Sequence, residues 1–97
     1  MTIQVEHTLS RQEARHRIEK LIEQSREEYK SELQNLVVDW SGDSAHIKLQ
    51  VRGYSTAGSV AVTDNAVDMD FYLPFLLQVF GKKIKSVLHD RIKQSLS

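Results

Sequence analysis

Ninety-seven residues carry 13 Lys+Arg against 13 Asp+Glu, with 40% hydrophobic and 27% charged side chains. That is room for one domain over residues 1–97 with a modest core and little space for a deep active site. The absence of cysteine excludes disulfides, zinc–thiolate sites and thiol catalysis, and the zero net charge argues against a general nucleic-acid binder.

The opening MTIQVEHT has no basic and apolar leader, and the longest apolar run, near residues 71–80, is too short to span a bilayer. A cytoplasmic location without a membrane span is expected. Ile3, Val5 and His7 alternate with Gln4, Glu6 and Thr8, which predicts a strand. The period changes at Ser10, where S-x-x-E (Ser10 to Glu13) has the form of a capping box. Ala14, Ile18, Leu21, Ile22, Ser25 and Tyr29 then recur at helical steps, so a long helix is predicted over about residues 11–32. Its other face is mixed in charge, with six Lys/Arg and six Glu between residues 11 and 32.

Alternation returns with Leu36, Val38 and Trp40. Ser41 to Ser44 reads as a turn, and Ala45, Ile47, Leu49 and Val51 alternate with polar residues. Gly53 to Gly58 (GYSTAG) is predicted as the next turn, and Thr63-Asp64-Asn65 as a third, with Asx chemistry. Val60 and Val62, then Val67, Met69 and Phe71, supply two more strands. Residues 36–72 therefore read as a four-stranded meander. Pro74 suits the first turn of a helix, so a helix is expected from residue 74 or 75, weakened at Gly81. Ile84, Val87, Leu88, Ile92 and Leu96 form its apolar stripe; Lys82, Lys83, Lys85, Arg91 and Lys93 lie mostly off it, and basic residues late in a helix suit the macrodipole.

The order is β-α-β-β-β-β-α, an α+β domain. Both helices should pack on one face of an antiparallel sheet, leaving His46, Lys48, Gln50, Arg52, Asp68 and Asp70 on the other.

Little in this pattern carries chemistry. His7, His16, His46 and His89 have no metal-pair spacing and read as solvated surface residues. Asp68 and Asp70 share a strand face opposite or diagonal to Lys48 and Arg52, which suits solvated charges better than acid–base catalysis. All four glycines have a turn or helix-joint explanation. Trp40 reads as an edge of the core rather than a stacking platform. No enzyme activity and no cofactor are expected.

The exception is LPFLLQVF, Leu73 to Phe80. One helix face cannot bury Phe75, Leu76, Leu77, Val79 and Phe80 together, and Lys82, Lys83 and Lys85 follow at once. An apolar cluster followed by cations suits an interface. The candidate interaction surface is therefore Phe75, Leu76, Leu77, Phe80, Lys82, Lys83 and Lys85.

Taken as a set, several features resemble the small bacterial proteins of the polyhydroxyalkanoic acid system family, named for the polyhydroxyalkanoate granule gene region. They are the helix after HTLSRQEARHRIEKL, Trp40-Ser41-Gly42-Asp43 before an alternating strand, and Gly58-x-Val60-x-Val62 with the Asp64-Asn65 turn. Val67-x-Met69 leading into Leu73, and the apolar segment before Ile84, Ile92 and Leu96, complete the set. The resemblance spans nearly the whole chain and implies no catalytic residue. It implies an accessory role in polyester storage, with the granule surface or a granule protein as partner. The layout is also similar to a shortened helix-grip domain. That likeness implies one alternative, a carrier of a small apolar ligand between helix and sheet; a second alternative is a structural subunit of a homodimer or larger complex, with residues 73–80 as the contact.

Overall fold

The computed structural model describes residues 1–97, except the side chains of Phe75, Leu76 and Leu77. Elements follow the expected order: β1 (Thr2–Glu6), α1 (Arg11–Glu28), β2 (Leu33–Ser41), β3 (Ser44–Val51), β4 (Tyr54–Val62), β5 (Ala66–Phe71), a 3₁₀ segment (Phe75–Phe80) and α2 (Gly81–Ser95). The strands form one antiparallel sheet in the order β1-β5-β4-β3-β2. A meander places β5 beside β4, and β1 adds to the free edge of β5.

The alternating residues explain the layers. Ile3, Met69, Val60 and Ala45 are cross-strand neighbours, as are Val5, Val67 and Val62, and all are buried. Ala14 and Ile18 of α1, with Ile92 and Leu96 of α2, complete this core. Helix α1 runs from the β2–β3 and β4–β5 turns toward the β3–β4 turn. At its start, Arg11 reaches Asp43 (3.4 Å) and Asp64 (3.0 Å). At the far end, the Arg52 amide donates to the carbonyl of Glu32 (3.2 Å). Arg15 lies 4.7 Å over the Trp40 ring, which therefore packs under α1.

Local chemistry accounts for most boundaries and for several departures from the sequence pattern. Ser10 Oγ accepts from the Glu13 amide (3.1 Å), but the Glu13 carboxylate takes Arg17 Nε (2.9 Å), so only half of the capping box forms. Helix α1 closes at Tyr29, short of the expected residue 32. Gly42 has φ +61 at the first position of a two-residue hairpin turn. Strand β2 starts earlier than predicted because Asn35, at φ 55, makes a bulge that sets Asn35 and Leu36 against Leu49 alone. Leu33 and Leu36 thereby face the same side, and Arg26 of α1 donates to the Leu36 carbonyl (3.1 Å).

Two readings of the hairpins need correction. The β3–β4 turn is only Arg52-Gly53, both at positive φ, and Tyr54 to Gly58 belongs to β4. Gly58 is thus a mid-strand residue paired with Ile47 and Phe71, and the Phe71 ring occupies the space a β-carbon would take. The Asp68–Asp70 pair does not face Lys48 or Arg52 either. Strand β4 lies between them, and Arg52 sits in the turn.

His7 is buried, against the surface reading. Its Nδ1 accepts from the Leu9 amide (3.1 Å) and its Nε2 lies 2.9 Å from the Thr63 carbonyl. The neutral Nε2–H tautomer satisfies both contacts.

Candidate interaction surface

The apolar–cationic segment begins where β5 stops. Pro74 takes an extended conformation (φ −54, ψ 147), which leads the chain away from the end of β5. The expected single helix from residue 74 or 75 is divided. A 3₁₀ segment covers Phe75–Phe80, and α2 starts at Gly81, after Phe80 at φ −98, ψ 7. In a 3₁₀ segment side chains three apart eclipse, so an apolar run there cannot be gathered onto one covered face.

Val79 is 81% exposed and Phe80 56% exposed. Their neighbours Phe75, Leu76 and Leu77 belong to the predicted surface, but their side chains lie outside the described residues. Lys82, Lys83 and Lys85 are all exposed. Val87, which the sequence pattern assigned to the buried stripe, is 46% exposed. The stripe that packs inward is Ile84, Leu88, Ile92 and Leu96, at strict four-residue steps; Val87 lies off it. Phe80, Lys83 and Val87 are spaced i, i+3, i+7, so they form one outward line.

Starting α2 at Gly81 also reverses the electrostatics expected for the lysines. All three lie among the first five residues of α2, and no acidic residue occupies its first turn. Cations at a helix N-terminus oppose the macrodipole, whose positive end points there. The joint therefore combines exposed apolar side chains with a concentrated positive field. It can cover an apolar surface and attract anions at its margin. Val79 and Val87 are not among the candidate residues named from the sequence, yet both are exposed beside them. The signal was available for Val87, which breaks the four-residue step.

A second apolar set, from helices and strands alike, borders the core. Leu21, Ile22, Leu36, Leu49 and Leu88 are half-buried, in contrast to the closed core around Ile18 and Val67. Among the described residues, no group of three His, Asp or Glu side chains is placed to hold a metal ion. Nor, among the described residues, is any helix long and apolar enough to cross a membrane.

The sequence model of a family described as "Putative polyhydroxyalkanoic acid system protein" matches residues 1–96. No curated protein and no solved structure matches the chain.

Proposed function

The chain belongs to the polyhydroxyalkanoic acid system protein family, and from that premise we propose a non-enzymatic accessory protein of polyhydroxyalkanoate storage. It docks on the granule surface, or on a protein of the granule coat, through the joint between the 3₁₀ segment and α2. The observation that carries this reading is the outward exposure of Val79, Phe80 and Val87 beside Lys82, Lys83 and Lys85.

The mechanism is apolar burial with electrostatic assistance. Burying a Val or Phe side chain fully is worth about 1.5–3 kcal/mol before the costs of association. Three partly exposed side chains therefore support a weak contact alone and a firm one when Phe75, Leu76 and Leu77 contribute. The lysines act chiefly on encounter with an anionic coat, so their effect is salt-dependent.

Co-sedimentation of the purified protein with isolated granules, coated and stripped, tests this. The variant Phe80→Asp removes an apolar contact and places an acid at the α2 N-terminus, where the macrodipole favours it, so the fold is kept. Retention should fall about tenfold in Phe80→Asp, a loss near 1.4 kcal/mol. Replacing the three lysines by Glu should weaken it only a few-fold in moderate salt. Undiminished retention of a folded Phe80→Asp/Val79→Asp protein would overturn the assignment.

A carrier role is the second reading, and the half-buried Leu21, Ile22, Leu36, Leu49 and Leu88 favour it. Saturable change in the fluorescence of Trp40, the single tryptophan, on titration with a medium-chain fatty acid would support it, particularly beside absent granule binding.

A further inference from the structure

The sheet face turned away from both helices is uncovered, and its charges are sorted by strand. Cross-strand pairing sets Thr2, Asp70, Ser59, His46 and Asp39 in one row across β1-β5-β4-β3-β2. The neighbouring row is Gln4, Asp68, Ala61, Ser44 and Ser41. On the other side, the Tyr72 amide donates to the Ala57 carbonyl (2.9 Å), which aligns Tyr72 with Ala57, Lys48 and Val37. Strand β5 is thus acidic, β3 is basic, and β4 between them carries the small Ser55, Ala57, Ser59 and Ala61.

We infer that this face is a self-complementary dimer interface, with a second copy of this chain as its occupant. A two-fold axis running along β4, between two stacked sheets, leaves β4 over β4 and exchanges β5 with β3. Asp70 then meets His46 of the second copy, Asp68 lies near the same basic strand, and Lys48 meets the Tyr72 ring. Each contact occurs twice, as an isologous interface requires. A dyad running across the strands instead sets Asp68 and Asp70 against their own copies, and like charges facing one another oppose association. The charge pattern therefore selects one of the two arrangements.

Shape and area agree with that choice. The small β4 residues let two sheets approach to the usual spacing of about 10 Å. A depression of about 400 Å³ beside Lys48 and Ala57 lies where Tyr72 of the second copy arrives. Tyr72 is 66% exposed and Val37 51% exposed, so this polar face also carries apolar surface that is open in the monomer. Five strands about 4.8 Å apart, about seven residues long at 3.3 Å each, present roughly 550 Å² per copy. The pair buries about 1,100 Å², just above the lower bound for a specific interface. A weak, salt-sensitive dimer follows. It leaves the joint of the proposed granule contact free, because that joint belongs to the helix layer.

Sedimentation velocity over roughly 1–500 μM covers the range expected for an interface this small. Wild-type protein should shift from monomer to dimer with concentration, and more readily at low salt. Asp68→Lys/Asp70→Lys sets cations against the basic strand, and His46→Asp/Lys48→Asp sets acids against the acidic one. Each variant alone should dimerise at least about tenfold more weakly. An equimolar mixture of the two should recover dimer, because an acidic strand then faces a basic one in both halves of the pair. Far-ultraviolet circular dichroism checks the fold, and Ala57→Arg on exposed β4 is the alternative if a charge variant unfolds; it should be monomeric. A wild type that stays monomeric throughout overturns the proposal. So does a dimer that persists unchanged in both charge variants, or a mixture that fails to recover it.

Discussion

Lys83 sits in a position its own helix disfavours. It follows an α2 N-terminus with no acid in the first turn, between Lys82 and Lys85. A cation there costs about 0.3–1 kcal/mol relative to an anion. Lys83→Glu is therefore expected to raise thermal stability, by about 2–6 °C for a domain of this size. It should also lower retention on granules, since Lys83 lies in line with Phe80 and Val87. A gain in stability with a loss of binding is the signature of a residue kept for an interface. A fall in Tm with unchanged binding would mean that Lys83 serves the fold. The same reasoning does not apply to Arg91, which donates to both Glu28 carboxylate oxygens (3.2 and 2.6 Å) and to the Tyr29 hydroxyl (2.8 Å). That cation has structural partners.

At the scale of elements, Gly58 is where a local reading and the fold part company. GYSTAG contains two glycines and no alternation, so by its own propensities it is a turn. It becomes strand because β3 and β5 pair with it from both sides. A β-carbon at Gly58 would lie 2.6 Å from the Asp70 carbonyl oxygen and 2.7 Å from Phe71 Cε1. The carbonyl is backbone and cannot step aside. Gly58→Ala should cost about 1–3 kcal/mol, seen as a lower urea midpoint with an unchanged slope. Adding Phe71→Leu should return only part of that loss. A neutral Gly58→Ala would show that β4 is not held this tightly against β5. The other elements were legible in proportion to how local their determinants are. Strands β1 and β3 follow from alternation, and the start of α1 follows from Ser10. The early start of β2 was hidden because Asn35 breaks the period, and the bulge it makes depends on pairing with Leu49. The candidate surface was legible as an apolar run followed by lysines. Which of its members face outward was not, because that depends on α2 starting at Gly81 rather than at Pro74. The burial of His7 is a related case: alternation placed it beside Ile3 and Val5, but only the Thr63 carbonyl and the Leu9 amide make that burial affordable.

For the whole molecule, the question is what keeps the two helices together over one face of the sheet. Apolar contacts of Ile18, Ile92 and Leu96 supply the core of that layer. Polar ties close its two ends. Arg17 donates to the carbonyls of Ser95 and Ser97, and Arg91 grips Glu28. The hydrogen bond from Arg91 holds the Glu28 carboxyl below its ordinary 4.5, and Arg17 does the same for Glu13. A depressed carboxylate stabilises the folded state fully above its unfolded value. That contribution fades as pH falls below 4.5 and through the lower folded value, because the native state must then take up the proton that the unfolded chain already holds. Wild type and Glu28→Gln should therefore differ in urea midpoint at neutral pH and converge in acid. The difference should be small, since the pair is exposed to solvent and screened. A difference that widened toward acid would have the wrong sign for this linkage, and would place the tie between α1 and α2 elsewhere. Because Arg91 follows Val87 by one turn of α2, the same tie helps to orient the helix that carries the proposed granule contact, while Ile92 and Leu96 hold that helix on the core.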